Sequence, residues 1–205
     1  MAGNPERTGP IAGVILSAGM STRLGRPKQL LEVGGKALVA HVADAALESD
    51  LDEVIVVTGY RAGAIQAALG NRQLRHCLNR RFEEGQSTSL IAALNATTAL
   101  TDAVVVLLSD QPTIEAEIID RILAKRRTSG APIVMASYGD TTSHPILFGS
   151  ELFDEIRAIR GDRGARDVIR RHEQQVATVD GGAVEPPPDV DTEEAYRSLL
   201  ASWRS

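Results

Sequence analysis

The chain has a single cysteine, Cys77, in 205 residues. An intrachain disulfide is therefore impossible, a redox-active cysteine pair is excluded, and a cytosolic location is expected. Cys77 itself reads as an inert, half-buried residue. Aromatic residues make up only 3% of the chain, so the core must come from Ala, Val, Leu and Ile. That composition suits buried parallel strands covered by helices. No run approaches the roughly 18 apolar residues of a membrane span. Residues 1–10 lack the apolar middle of a signal peptide and read as a short disordered lead-in. Positive charge is not in excess either, with 22 Lys and Arg against 27 Asp and Glu. A nucleic-acid binder has the opposite balance, so neither nucleic acid nor membrane is expected as a partner.

What remains is an ordinary globular composition, 43% hydrophobic and 24% charged, which fits one domain over residues 11–205. Apolar runs at 11–16, 53–59 and 103–108 predict buried strands, with a weaker strand at 74–78, further strands at 132–136 and 175–179, and a short one at 145–148. Helical spacing predicts helices at 37–47, 62–69, 88–99, 112–127, 150–158, 165–171 and 192–203. Strands alternating with helices predict an α/β fold: a doubly wound, Rossmann-like, mostly parallel sheet with helices on both faces.

Ligands of such sheets sit beyond the carboxyl ends of the strands. The first strand there runs into Ser17-Ala18-Gly19-Met20-Ser21-Thr22-Arg23-Leu24-Gly25-Arg26-Pro27-Lys28. The dinucleotide pattern G-x-G-x-x-G is absent, which also disfavours an oxidoreductase. The Walker pattern fails too, because five residues separate Gly19 from Gly25 and Arg26-Pro27 follows. Small residues, backbone N–H groups and two cations, Arg23 and Lys28, would suit an anion. On residue chemistry alone, a solvated basic loop explains the segment as well.

The string from Leu16 to Leu31, Leu-Ser-Ala-Gly-x-Ser-x-Arg-Leu-Gly-x-Pro-Lys-Gln-Leu-Leu, resembles the signature of MobA-like nucleotidyltransferases, LAAGxSxRMGxxKxLL. Ser17 and Leu24 depart from it without removing a glycine or a charge. The resemblance implies that Leu16, Ser17, Ala18, Gly19, Met20 and Ser21 wrap a nucleoside triphosphate, with Arg23 and Lys28 on its phosphates.

Asp110 follows the strand at 103–108, in Leu-Ser-Asp-Gln-Pro. Taken alone it reads as a helix N-cap or as a Mg²⁺ ligand. The family carries LxDQP here, with its aspartate on the metal, so the resemblance implies Mg²⁺ (with Mn²⁺ as a substitute) on Asp110. Asp189-Val190-Asp191 places two carboxylates at i and i+2, on one side of an extended segment. Asp191 also reads as the cap of the last helix, with Glu194 completing a capping box. The run resembles the family's DIDTPEDY, which implies a metal or ribose contact for Asp191 and, secondarily, for Asp189.

Further strings resemble one branch, the molybdenum cofactor cytidylyltransferases. Asn79-x-x-Phe82-x-x-Gly85-Gln86-Ser87-Thr88-Ser89-Leu90 is similar to NPxWxxGMxxSL, where Ser87 reads as a nucleotide contact or an N-cap. His144-Pro145-Ile146-Leu147-Phe148 resembles [NH]PVLF, and Gly161-Asp162-Arg163-Gly164-Ala165-Arg166 resembles GDxGAR. These imply Gln111, His144, Pro145 and Arg166 near a molybdopterin-type acceptor. A lone His such as His144 also has a plain structural reading. GMP-transferring relatives tend to carry LAGG, and the methyl of Ala18 would narrow the base edge, so CTP is the first expectation and GTP or UTP the alternative. The resemblance implies CMP transfer to the acceptor's terminal phosphate, with a molybdoenzyme or its maturation factor receiving the product. Another small phosphorylated acceptor, or a non-catalytic role in cofactor assembly, are the competing readings.

Overall fold

A computed structural model describes residues 9–161, 165–183 and 185–203. The lead-in up to Thr8 and Asp162–Gly164 of the GDRGAR turn lie outside the described residues.

The strands are β1 (Ile11–Ser17), β2 (Glu32–Val33), β3 (Lys36–Ala37), β4 (Glu53–Thr58), β5 (Arg75–Leu78), β6 (Ala103–Leu108), β7 (Ile133–Tyr138), β8 (Thr141–Gly149) and β9 (Val176–Asp180). The helices are α1 (Leu38–Glu48), α2 (Ala62–Leu69), α3 (Gln86–Ala96), α4 (Ala116–Ser129), α5 (Phe153–Ala158), α6 (Arg166–Arg171) and α7 (Glu193–Ser202). Seven strands form one sheet in the order β5-β4-β1-β6-β8-β7-β9, and β2 and β3 form a separate antiparallel hairpin.

The sheet is mostly parallel, as expected. β4, β1 and β6 pair in parallel, as do β7 and β9. Only β8 runs the other way, antiparallel to both β6 and β7. Both faces are covered, which is why the central strands are apolar at consecutive positions. On one face Ile11, Ile15, Val54, Val56, Val105 and Leu107 pack against α1, α2 and α4. On the other, Ala12, Val14, Ile55, Val57, Val104 and Val106 pack against α3 and α5. None of the described helices is long and apolar enough to cross a membrane.

Strand order reverses beside β1: the chain steps outward through β4 and β5, then returns to β6 on the other side. A crevice opens where neighbouring connections leave in opposite directions. Leu16 at the end of β1 pairs with Leu108 at the end of β6. The loop after β1 and Asp110 therefore leave the sheet side by side.

Two sequence expectations change here. The helix expected from Pro112 starts only at Ala116, after a turn in which Ile114 N–H bonds back to Gln111. The strand expected at 145–148 is much longer and carries a bulge. Ala136 pairs with Ser143 and Met135 with Ile146, so His144 and Pro145 are looped out of the ladder. Looping out removes the need for the donor that Pro145 lacks.

Candidate functional site

A cavity of about 880 Å³ lies over the carboxyl ends of β1 and β6. Its wall includes the backbone of the first loop (Ala18–Thr22), Lys28, Asp110 and Gln111, the start of α3, the bulge of β8, and Asp189 and Asp191. It is large enough for a nucleotide and lies at the upper end of the range for small-molecule sites.

The loop is held open by its own side chains. Ser21 adopts a left-handed backbone (φ 55°) without being glycine. Its hydroxyl accepts the Lys28 N–H at 3.0 Å, which ties the two arms of the loop together. Gln29, fully buried, donates its amide to the Gly19 carbonyl at 2.8 Å, and its carbonyl oxygen lies 3.5 Å from the Ser21 hydroxyl. The role of Gln29 was missed in the sequence, where a polar residue beside Lys28 carries no signal of burial. Gly19 is informative for the opposite reason. A Cβ there would meet no protein atom within 4 Å, and its φ is not in the left-handed region. Neither packing nor backbone strain requires glycine, so the space is kept clear toward the cavity.

Lys28 and the acidic residues form the charged end. The Lys28 ammonium donates to Asp110 Oδ2 and, at 2.5 Å, to Asp191 Oδ1. Arg23 Nη1 lies 3.5 Å from Asp191 Oδ2. Burial works against the Lys28 charge, but the two carboxylates outweigh it and raise the ammonium pKa. Asp110 is also raised: burial dominates, nearby Asp189 adds to it, and Lys28 offsets only part. Asp110 therefore holds a desolvated carboxylate that gains from a stronger cation.

The N-cap alternatives for both aspartates fall away. The cap of α4 is Glu115, not Asp110. The cap of α7 is Thr192, whose hydroxyl accepts the Ala195 N–H at 3.1 Å, so Asp191 is free to face Lys28. The segment turns between Asp189 and Asp191, both of which line the cavity: Asp191 N–H bonds to the Asp189 carbonyl at 3.1 Å. Asp189 instead accepts from the Gln111 amide at 2.8 Å. Val190, buried between them, joins a small core of Leu31, Val33, Leu38 and Leu199. The hairpin and α7 thereby fix the acidic segment against the first loop.

The far side of the cavity has another character. His144 is pushed by the bulge into the wall, where burial brings its imidazole down to about 4, with Asp110 raising it and Arg166 lowering it less strongly. Its backbone carbonyl accepts the Tyr138 hydroxyl. Arg166 and Arg170, one helical turn apart on α6, line the same side. Arg170 was not anticipated, although its spacing from Arg166 on a helix was visible.

Of the residues singled out in the sequence, Leu16, Ala18, Gly19, Met20, Ser21, Lys28, Asp110, Gln111, His144, Arg166, Asp189 and Asp191 all line this cavity. Ser17, Arg23, Ser87 and Pro145 stand off its wall. Ser17 and Ser87 are buried behind it with hydroxyls that lack a partner. Ser87 lies inside α3 and does not cap it; the cap position is Gly85, at φ 111°. Arg23 is exposed and reaches the site only through Asp191.

Residues 13–176 match the model of the MobA-like NTP transferase domain. The chain belongs to that family. Among its relatives is the nicotine blue oxidoreductase of Paenarthrobacter nicotinovorans, 31% identical over 199 residues that cover 92% of this chain and 96% of the relative. The purine catabolism protein PucB of Bacillus subtilis (strain 168) is 27% identical over 91% of this chain and 94% of its own. Among solved structures, Rv0371c of Mycobacterium tuberculosis H37Rv in complex with manganese superposes with a TM-score of 0.81 at 30% identity, over 95% of this chain and all of that one. In the MobA-like family this chain is thus a nucleotidyltransferase by fold and by sequence.

The donor set also fits a hard divalent cation. Among the described residues no group of three or more His, Cys, Asp or Glu forms a ready metal cage. Two carboxylates converge on one point beside a cavity instead. Mg²⁺ is commonly held by one or two carboxylates together with water and substrate phosphates.

Proposed function

We propose that this chain transfers a nucleoside monophosphate, CMP from CTP in the first instance, to the terminal phosphate of a molybdopterin-type acceptor and releases pyrophosphate. The observation that carries the reading is the meeting of Lys28, Asp110 and Asp191 beside the open backbone of Gly19, at one end of a cavity with room for a second molecule. Lys28 and Arg23 would pair with phosphate oxygens and with the leaving pyrophosphate. Asp110 and Asp191 would hold Mg²⁺ or Mn²⁺, with Asp189 turned to Gln111 as a second-line contributor. Bound there, the cation would neutralise charge on the nucleotide phosphates. A manganese complex of a relative at 30% identity supports a divalent metal here.

The attacking group needs no base. A phosphate monoester is ionised near neutrality, its second pKa being about 6. His144, neutral at that pH, is suited to a directional hydrogen bond and adds no charge. With Gln111, the Pro145 bulge and Arg166, it would orient the acceptor. The buried methyl of Ala18 supports a pyrimidine base. The same reading puts the protein in the cytosol, with a molybdoenzyme or its maturation factor taking the product.

The test is incubation with each α-labelled nucleoside triphosphate, molybdopterin and Mg²⁺ or Mn²⁺, with products resolved by mass spectrometry. CMP transfer is expected. GMP or UMP transfer would remove the cytidylyl assignment, and transfer only to other phosphorylated acceptors would remove molybdopterin. Asp110→Ala should abolish turnover with an unchanged circular dichroism spectrum; undiminished activity would sink its metal role. The name of one relative gives a second reading, an oxidoreductase. Consumption of NADH or NADPH without nucleotidyl transfer would favour it.

A further inference from the structure

Lys28 does more than wait for phosphates. Its ammonium sits at the point where the Asp110 and Asp191 carboxylates converge, 2.5 Å from Asp191 Oδ1. We infer that Lys28 occupies the metal position in the free protein and must swing out for a divalent cation to enter, so that cation and nucleoside triphosphate bind together rather than independently. The inference rests on the reading of Asp110 and Asp191 as metal ligands.

The steric and charge argument is direct. Mg²⁺ binds carboxylate oxygens at 2.0–2.1 Å. An ammonium hydrogen-bonded to those same oxygens would share the ion's place and repel it. Arg23 is exposed and lies 3.5 Å from the other oxygen, Asp191 Oδ2, so it does not stand in the ion's place.

The fold determines which partner yields. Asp110 lies directly after β6, and its carbonyl accepts the Val190 N–H at 3.3 Å. The neighbouring Asp189 is fastened to Gln111, and Thr192 caps α7 just beyond Asp191. The Lys28 backbone is fixed as well, its N–H on Ser21 Oγ and its carbonyl accepting the Leu31 N–H. The lysine side chain, a flexible four-carbon stem along the cavity wall, has the longest reach of the three and can swing away while its backbone stays fixed. Without a nucleotide that movement would strip a cation of two anions and return nothing. With a triphosphate present, phosphate oxygens receive the ammonium. The two ligands therefore help each other, and the coupling is reciprocal.

The test uses the full-length protein, with Mn²⁺ as probe and its free concentration read by electron paramagnetic resonance. Lys28→Met and Lys28→Gln should each bind Mn²⁺ at least tenfold more tightly than the wild type in the absence of nucleotide. Arg23→Met removes an equal charge from an exposed side chain at the same carboxylate and should change the affinity less than threefold. Adding α,β-methylene-CTP at saturation, corrected for Mn²⁺–nucleotide complex formed without protein, should tighten Mn²⁺ binding at least tenfold in the wild type and clearly less in Lys28→Met. Unchanged or weaker Mn²⁺ binding in both lysine variants would overturn the inference. An Arg23→Met gain equal to theirs would also overturn it, by reducing the effect to net charge. Asp110→Asn in the Lys28→Met background separates the two layers: loss of Mn²⁺ binding supports the metal assignment, and unaltered binding refutes that assignment itself.

Discussion

His144 gives a stability signature that can be calculated from its surroundings. Its imidazole is brought from 6.5 to about 4, first by burial, then by Arg166, with Asp110 opposing. Folding thus favours the neutral ring. Between those two pH values the unfolded chain binds more protons than the folded one, so stability rises with pH across the window and is lost as pH falls through it. At 1.36 kcal/mol per pH unit, the drop to about 4 corresponds to about 3 kcal/mol, present above pH 6.5 and gone near pH 4. Urea unfolding of the wild type and His144→Gln, at half-unit steps from pH 4 to 7.5, isolates the contribution. The wild type should lose stability relative to the variant by about 1.4 kcal/mol for each pH unit below 6.5. Parallel curves for the two proteins would refute the burial argument. So would a His144 ring resonance that titrates near 6.5 in the folded protein.

Gly19→Ala should leave stability within about 0.5 kcal/mol, because no protein atom opposes the added methyl. It should weaken nucleoside triphosphate binding at least tenfold by calorimetry; unchanged binding would mean that the loop does not meet the ligand there. Arg126, almost wholly buried, bonds Asp102, Glu151 and the carbonyls of Gly130 and Ala131. Arg126→Met should cost about 3 kcal/mol in urea unfolding by leaving those acceptors uncompensated, and a loss below 1 kcal/mol would count against it. Burial raises the Cys77 thiol, which also contacts the Ala92 carbonyl at 3.5 Å. The thiolate is therefore scarcer at a given pH, and labelling by a disulfide reagent at pH 7.5 should run much more slowly in the native protein than in urea; equal rates would contradict the burial.

Much of the fold was legible because both faces of the sheet are buried. Strands such as Val104-Val105-Val106-Leu107 must then be apolar without alternation, and their length separates them from helices. The hairpin of β2 and β3 escaped, since two-residue strands carry no period. The direction of β8 also left no local trace: an antiparallel strand flanked by a parallel sheet is chosen by its partners, not by its residues. Its bulge was masked by Pro145, which argued for a short strand where the chain needed a loop-out inside a long one. Thr192 and Asp191 are both good caps, and sequence chemistry cannot rank neighbours that differ by one position. Here the register of Val190 in the small core decides, turning Asp191 toward Lys28 and leaving Thr192 at the helix start.

The candidate site was legible as separate pieces, and the reason they meet lies in topology. Lys28 and Asp191 are 163 positions apart, Lys28 and Asp110 are 82 apart, and all three meet. Lys28 and Asp110 are brought together by the strand reversal, which sets the ends of β1 and β6 side by side. Asp191 depends on α7, whose Leu199 and Tyr196, with Trp203 just beyond the helix, pack on the hairpin that follows the loop. The Tyr196 hydroxyl, bonded to the Glu32 carbonyl at 2.6 Å, adds a polar anchor. Packing at α7, far from any reacting atom, therefore sets where the second carboxylate stands. A site read from motifs alone contains these groups. What it lacks is the hairpin and helix that make Asp191 a neighbour of Asp110 rather than the last acidic residue before a tail.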